Sequence, residues 1–223
     1  MILSATVEER KKALKELFPY VKKDIGATMK AMEGLSVTVR LLDPPLHEFV
    51  PHSDDQKKEI AKALKITLAE FDKRAEAIKE NNPMMGHRGV RLGITYPEIT
   101  FMQASAIFEC AAEIIKAGGK CKPEIMIPVT CDPGEIKDQK AIIAEAAAEV
   151  AKKFKLAKID YLVGTMIEIP RAALLADRMA AEADFFSFAI SPRDTCVYFL
   201  CHSVNLHTDN QSLRDELYQI NSQ

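Results

Sequence analysis

Three side chains stand where predicted strands end and have the chemistry to hold an anion or a metal ion. Arg40 closes the run "SVTVR", Arg88 lies in "NPMMGHRGVRLG", and Glu168 ends "YLVGTMIE" just before a proline. An arginine at a strand end presents a planar fork of donors that matches a phosphate or a carboxylate. A glutamate is a hard oxygen ligand for Mg²⁺, which takes one or two carboxylates together with water and substrate oxygens. The sequence therefore predicts an anion site with an adjoining magnesium site.

Two of these residues, Arg40 and Glu168, also have a structural interpretation without function. Arg40 could form a buried ion pair with an acid such as Asp43. Glu168 could be an acid at the N-terminus of a helix, where the helix dipole favours negative charge. Arg91, three residues after Arg88, could simply cover the rim of the fold. From the residues alone these alternatives stay open.

The elements that would position these side chains follow from hydrophobic patterns and capping signals. Five runs are predicted to be strands: residues 36–43, 87–94, 124–130, 161–168 and 185–188. Helices are predicted from residue 6 toward 32 with an interruption at Pro19, from 67 to 80, from 97 to 118, from 133 to 155 and from 171 to 183.

Strands that alternate with helices at this spacing predict right-handed βαβ units in a parallel sheet. A doubly wound dinucleotide-binding sheet would carry a G-x-G-x-x-G turn after its first strand, and the sequence has none. The (β/α)8 barrel is therefore favoured, and its active sites collect at the carboxyl ends of the strands. The predicted fold class is α/β, a partial (β/α)8 barrel with about five of the eight strands, followed by a tail that lacks the pattern.

Composition excludes several classes of function. The 223 residues carry 30 basic and 32 acidic side chains, a net charge of -2, without a basic stripe that would favour nucleic acid. The first residues turn charged too early for a signal peptide and no apolar run approaches transmembrane length, so a cytoplasmic protein without a membrane partner is expected.

The cysteines indicate neither a disulfide framework nor a zinc site. The count is five, which is odd, so reduced thiols are expected. Near the carboxyl end, Cys196, Cys201, His202 and His207 form the pattern C-x4-C-H-x4-H. This spacing departs from the usual pairs of zinc ligands, so zinc is not the favoured interpretation.

Three long stretches carry a family resemblance. The runs "VTVRLLDPPLHEFVPH", "NPMMGHRGVRLGITYPEI" and "VGTMIEIPRAALLADRMAAEADFFSF" closely resemble the carboxy-terminal barrel of the pyruvate, phosphate dikinase family, which binds phosphoenolpyruvate (PEP) and pyruvate. The run "RLLDPPLHEF" also separates this family from the related sugar-transport phosphotransferase enzyme I. The resemblance spans nearly all of residues 1–188, which are assigned to the barrel.

The resemblance implies a phosphotransferase reaction and roles for the three candidate residues. Family members interconvert ATP, phosphate and pyruvate with AMP, pyrophosphate and PEP, through a phosphohistidine on a separate swivelling domain. Arg40 matches an arginine that grips the phosphoryl group of PEP, and Arg88 matches a second arginine of the same pocket. Glu168 matches a glutamate that binds Mg²⁺. PEP or pyruvate and the phosphohistidine domain are thus the expected partners, with a homo- or hetero-oligomer also conceivable.

The resemblance stops abruptly after Phe188. Where the family continues with Gly-Thr-Asn-Asp-Leu-Thr-Gln, this chain has "AISPRDT", which puts Pro192 at the position of a second metal carboxylate. Proline offers no side-chain ligand. Residues 189–223 are therefore predicted to be a divergent tail.

Two functional hypotheses follow from this pattern. The favoured one is a fragment of a dikinase, a phosphotransferase by family, that is inert alone and retains no catalytic residue. The alternative is a truncated, non-catalytic barrel that binds or regulates a full-length dikinase through its exposed strand edges.

Overall fold

Four parallel strands form the centre of the computed structural model, which describes residues 4, 6–44, 50–51, 53–64, 66–77 and 86–188. The strands are β1 (Ser36–Arg40), β2 (Lys122–Ile127), β3 (Leu162–Ile167) and β4 (Phe186–Phe188). They lie side by side in chain order, and each neighbouring pair is parallel. A doubly wound sheet would reverse its order at a switch point. The α/β fold class is therefore confirmed, and the sheet order is the one that a partial barrel requires.

The strands are connected by helices of very different length. These are α1 (Val7–Ala31), α2 (Asp54–Leu64), α3 (Leu68–Ala77), α4 (Gly89–Thr95), α5 (Pro97–Lys116), α6 (Pro133–Phe154), α7 (Pro170–Leu174) and α8 (Ala176–Met179). Helix α5 packs against both α1 and α6. Buried apolar side chains of α5 and α6 join those of β2 and β3 in the main core. Within the described part of the chain, no helix is both long and apolar enough to cross a membrane.

The prediction of a strand over residues 87–94 was wrong, because this segment contains helix α4. Its buried residues are Gly89, Val90, Leu92 and Gly93. Their spacing is that of a helical stripe, although the alternation of Val90, Leu92 and Ile94 is equally typical of a strand. The two glycines let the helix approach its neighbours closely: a Cβ at Gly93 would lie 2.5 Å from Gln139 Oε1. Tertiary contacts therefore outweigh the local strand preference, and four strands are described where five were predicted.

Helix α1 runs through Pro19 without the predicted interruption. A proline inside a helix removes one hydrogen bond and costs about 3 kcal/mol. Leu14 before it and Met29 after it are both buried. Burial on both sides of Pro19 offsets the lost bond, since most helix stability in proteins comes from packing of one face.

The longer helices α5 and α6 confirm their predicted bounds. Pro97 lies in the first turn of α5, and the chain leaves this helix through Gly118, which has a φ of 86°. Helix α6 begins with the predicted capping box, in which Asp132 and Glu135 each satisfy backbone N–H groups of the first turn. The helix predicted over 171–183 instead forms the two short helices α7 and α8, separated at Leu175.

An ionic cluster ties the three long helices together. Glu109 of α5, only 6% exposed, accepts hydrogen bonds from Lys22 of α1 and Lys153 of α6. Burial by itself raises the pKa of Glu109, but the hydrogen bonds from Lys153 and Lys22 outweigh it and hold that pKa below its ordinary value of 4.5. Ionised Glu109 therefore stabilises the contact between α1, α5 and α6.

We expect Glu109→Gln to lower the free energy of unfolding at pH 7 by about 2 kcal/mol, because a buried carboxylate loses two charge-assisted hydrogen bonds. A carboxylate whose pKa is lower in the folded than in the unfolded state stabilises the fold fully at pH values above its unfolded pKa. This stabilisation is lost as the pH falls through its folded-state pKa. The difference between wild type and variant should therefore shrink below pH 4.5. Urea unfolding across pH checks this. Glu113→Gln, on the same helix but 45% exposed, is the matched control and should cost less.

Candidate functional site

A buried carboxylate brings two of the predicted arginines together at the carboxyl end of β1. The side chain of Asp43 is only 2% exposed. Arg88 donates to it from two nitrogens, Nε to Oδ1 at 2.6 Å and Nη2 to Oδ2 at 2.7 Å. Nη1 of Arg40 lies 3.6 Å from Oδ2 of the same carboxylate. Asp43 thus holds both arginines, and we call Asp43, Arg40 and Arg88 the arginine clamp.

The two arginines of the clamp differ in their surroundings. The Arg40 side chain is 48% exposed and the Arg88 side chain 20% exposed. Arg40 thus forms the expected ion pair with Asp43. Only Asp43 is buried in this pair, whereas the Arg40 side chain is exposed to solvent. Arg88 is fixed by two strong parallel bonds of the kind that guanidinium and carboxylate groups form best. Arg40 therefore has the freer guanidinium for an incoming anion.

Helix α5 fixes the chain that carries this clamp. Gln103, 5% exposed, donates from Nε2 to the Arg40 carbonyl at 3.1 Å and accepts the Leu42 N–H at Oε1 at 2.7 Å. One buried side chain thus satisfies a carbonyl and an N–H just past the end of β1. Gln103 therefore fixes the backbone at Arg40 and Leu42, and Arg88 Nη2 donates to the Asp43 carbonyl at 3.3 Å.

Glu168 lies just after β3 and is bound to an unusual residue that follows β2. Its Oε1 accepts the N–H of Val129 at 2.7 Å. Val129 has a φ of 61°, the left-handed region, which a β-branched residue rarely adopts. Glu168 does not cap α7: that helix has Ile169 at its N-cap and no side-chain cap. The interpretation of Glu168 as a helix N-terminal acid therefore does not describe its contacts.

The start of α4 connects the clamp to Glu168. Gly89 follows Arg88 with a φ of 54°, and a Cβ placed there would lie 2.8 Å from Val129 Cγ2 and 2.9 Å from the Pro128 carbonyl. The Val90 N–H donates to that same carbonyl. The chain next to Arg88 therefore touches the residue that binds Glu168, and the three predicted site residues lie around the carboxyl ends of adjacent strands.

We expect Gly89→Ala to destabilise the chain by about 2 to 4 kcal/mol. An L-residue at this φ costs about 1–2 kcal/mol, and the new methyl group would collide with backbone and side-chain atoms on the opposite wall. Thermal unfolding measures the loss. Gly34→Ala is the matched control, since Gly34 also has a positive φ but has open space where the Cβ would stand. Equal losses in the two variants would show that the close contact with Val129 has no energetic role.

Arg91 points away from the clamp. Its Nη1 donates to the Gly86 carbonyl at 2.9 Å. It also lies near Cys131, whose pKa is raised by burial first and then by Glu135, with Arg91 acting in the opposite direction. Cys131 is therefore poorly suited to act as a thiolate. Cys110, Cys121 and Cys131 are unpaired, whereas Cys196 and Cys201 lie outside the described residues.

Sequence reasoning missed two residues of this arrangement. The spacing of three residues predicts Asp43 only as a partner of Arg40. Its pairing with Arg88 was missed because Arg88 is far away in sequence. Val129 gave no signal, since a valine in an apolar run is typical of a strand and not of a left-handed turn. Its role depends on packing against Gly89.

The described residues contain no group of three or more histidine, cysteine, aspartate or glutamate side chains that could enclose a metal ion. Glu168 could contribute one carboxylate to a metal ion. Its Oε1 accepts the Val129 N–H, and its Oε2 accepts no hydrogen bond from the described residues. Pro192 and the predicted tail over 189–223, with His202 and His207, lie outside the described residues.

Comparison with known proteins assigns the chain to a family. A family model described as "PEP-utilising enzyme, PEP-binding domain" matches residues 4–192. Pyruvate, phosphate dikinase of Clostridium symbiosum is 52% identical over 189 residues, which are 84% of this chain and 22% of that protein. The chloroplastic pyruvate, phosphate dikinases of Mesembryanthemum crystallinum and Arabidopsis thaliana are 48% and 49% identical over 190 residues, which cover 84% of this chain and 20% of each relative.

The chain spans about a fifth of the length of these curated relatives. The family match, in contrast, extends over most of the chain and includes Arg40, Asp43, Arg88 and Glu168. The chain therefore belongs to the PEP-utilising enzymes, through their PEP-binding domain.

Proposed function

We propose that the arginine clamp and Glu168 form a site for PEP and pyruvate. The observation that carries this proposal is the buried carboxylate of Asp43, which aligns Arg88 through two bonds and keeps Arg40 within 3.6 Å. The clamp by itself carries two positive charges and one buried negative charge, so a net positive charge remains on the clamp, with the carboxylate of Glu168 as a separate group of the site. A dianionic phosphoryl group is the ligand that such a pair suits best.

The two arginines would act on the phosphoryl group that is transferred. The exposed guanidinium of Arg40 binds and orients it, and the part-buried guanidinium of Arg88 supplies a fixed positive charge beside it. Groups that are already ordered lose little freedom when charge shifts during transfer, so they stabilise the transition state effectively. Asp43 is a positioning residue in this scheme, because it acts through the arginines.

Glu168 would hold Mg²⁺ through its carboxylate, in which Oε1 accepts the Val129 N–H and Oε2 accepts no hydrogen bond from the described residues. Mg²⁺ usually takes one or two carboxylates and fills its remaining positions with water and substrate oxygens, so a single carboxylate beside an anion site fits this ion. When bound, Mg²⁺ would stabilise negative charge on the pyruvate oxygens. The replacement of a second family carboxylate by Pro192 predicts weaker metal binding than in the family.

The fold supports this assignment through the barrel that the family implies. We propose that β1 to β4 are consecutive strands of a (β/α)8 barrel. On β1, the exposed Thr38 and Arg40 alternate with Val37 and Val39, which pack against the main core. On β2, Met126 is in register with Arg40 and alternates with the buried Ile125 and Ile127. Arg40 and Met126 therefore lie on the sheet face opposite the main core. In a barrel this face becomes the interior, and the strand ends carry the active site.

In the full reaction, the phosphoryl group would pass between PEP at this site and a phosphohistidine on a separate domain. The relatives are named pyruvate, phosphate dikinase, and their chains are far longer than this one. We propose that this chain binds PEP or pyruvate but does not turn over alone, because the family resemblance places the phosphohistidine on a separate swivelling domain.

Calorimetric titration of the purified chain with PEP and Mg²⁺ tests the proposed function. We expect saturable binding of one PEP per chain, weakened by competing pyruvate, and no PEP consumption when AMP and pyrophosphate are added. Absence of any PEP binding at millimolar concentration would refute the site. Turnover by the isolated chain would instead refute only its inertness.

A further inference from the structure

A small cavity lies next to the candidate site, between the segments that follow Arg40 and Arg88. The space that the centre of a water molecule can occupy in this cavity has a volume of ≈ 10 Å³. Leu41 from the end of β1, Gly89 and Gly93 from α4, Thr100 and Gln103 from α5, and Gln139 from α6 contribute to its wall. The cavity therefore lies where the segments that follow Arg40 and Arg88 meet the helix layer.

One polar group on this wall has no partner. Gln139 is 1% exposed, and its Oε1 accepts a hydrogen bond from the Thr100 hydroxyl at 2.7 Å. Its Nε2 is the one buried side-chain nitrogen or oxygen without a hydrogen-bond partner in the part of the chain that the structure describes. Buried polar groups in folded proteins are nearly always satisfied by protein or by ordered water.

We propose that this cavity binds one structural water, which hydrogen bonds to the amide of Gln139. A buried water needs about 10–15 Å³ of space and two to four polar partners, and the cavity has this size. Thr100 Oγ1 and Gln103 Oε1 belong to wall residues and have unused acceptor capacity. The proposal does not rest on PEP binding, because it follows from the cavity and the unpaired amide alone.

The orientation of the Gln139 amide does not affect this inference. If the amide were rotated, Nε2 would donate to Thr100 Oγ1 and Oε1 would be the atom without a partner. A water molecule can accept from an amide nitrogen or donate to an amide oxygen. In both orientations, one hydrogen bond of Gln139 remains for the water.

The water would connect elements that carry the site. Gln139 lies on α6, whereas Gly89 and Gly93 lie on α4, directly after Arg88. Gly93 is needed for this contact, since a Cβ there would meet Gln139 Oε1 at 2.5 Å and Thr100 Oγ1 at 2.7 Å. The water thus completes a polar contact between α5 and α6 at a place where the two glycines of α4 leave room for it.

A crystal structure of the chain at a resolution that shows ordered waters is the direct test. We expect a fully occupied water in the cavity, within hydrogen-bond distance of the Gln139 amide and of at least one further polar atom. An empty cavity, or a Gln139 amide whose two ends both bind protein atoms, would overturn the proposal.

Oxygen-17 relaxation dispersion in solution gives a second, independent test. We compare wild type with the double variant Thr100→Val/Gln139→Met, which replaces both polar partners by apolar groups of similar size. The variant should lose the signal of one long-lived water while its circular dichroism is unchanged. An unchanged dispersion would contradict the proposal. The single variant Gln139→Glu, which keeps a polar group in place, should retain the water signal.

Discussion

Arg88→Met should lower the free energy of unfolding by about 3–5 kcal/mol and weaken PEP binding, whereas Arg40→Met should weaken PEP binding at a stability cost below about 1 kcal/mol. The difference follows from burial. Arg88 neutralises Asp43, which is only 2% exposed, through bonds of 2.6 and 2.7 Å. Arg40 is 48% exposed and lies 3.6 Å away. Removing one partner of a buried pair leaves an uncompensated charge, while a surface ion pair contributes little.

The loss of PEP affinity should be about tenfold to a hundredfold for Arg40→Met, because a charge-assisted hydrogen bond contributes about 1.5–3 kcal/mol. Calorimetry with PEP and urea unfolding separate the two effects in the same variants. Arg178→Gln, an exposed arginine on α8, is the control for net charge and should change neither quantity.

A double variant identifies the cause of the stability loss. Arg88→Met/Asp43→Asn should recover part of the stability lost in Arg88→Met, because no unpaired charge remains buried. PEP binding should stay as weak in the double variant as in Arg88→Met. If the double variant is less stable than Arg88→Met, the buried charge of Asp43 is not the source of the loss.

Glu168→Gln should shift the Mg²⁺ dependence of PEP binding to higher Mg²⁺ concentrations with little loss of stability. The amide keeps an oxygen that can accept the Val129 N–H, which now donates to Oε1 at 2.7 Å. It loses the negative charge that a hard cation requires. We expect the apparent affinity for Mg²⁺ to fall by about tenfold or more, measured by titrating PEP at several Mg²⁺ concentrations.

Two further variants serve as references for this result. Glu168→Ala removes the acceptor as well, so the Val129 N–H is left unsatisfied at a residue 5% exposed and stability should fall by about 1–3 kcal/mol more. Glu145→Gln, an exposed carboxylate on α6, should leave the Mg²⁺ dependence intact. If Glu168→Gln binds PEP with the same Mg²⁺ dependence as wild type, Glu168 is not the metal ligand.

The sequence by itself determined the elements whose signals are local. Helix α6 begins at Asp132 with a capping box and a first-turn proline, and its bounds were predictable because capping hydrogen bonds lie within one turn. Strands β1 and β3 were predictable because runs with several β-branched residues favour the extended conformation of a strand. The order of these elements also indicated βαβ units, and long quoted runs carried the family resemblance.

The tertiary structure decided what depends on contacts between distant residues. The segment after Arg88 became helix α4 because Gly89 packs against Val129 and Gly93 against Gln139, which no local pattern encodes. Asp43 joined Arg88 across 45 residues of chain, so the arginine clamp could not be derived from spacing. The left-handed backbone of Val129 is likewise held by its neighbours against its own preference. Local capping and hydrophobic patterns predicted helices α5 and α6 and the four strands, while long-range packing decided helix α4 and the buried acid that orients the site.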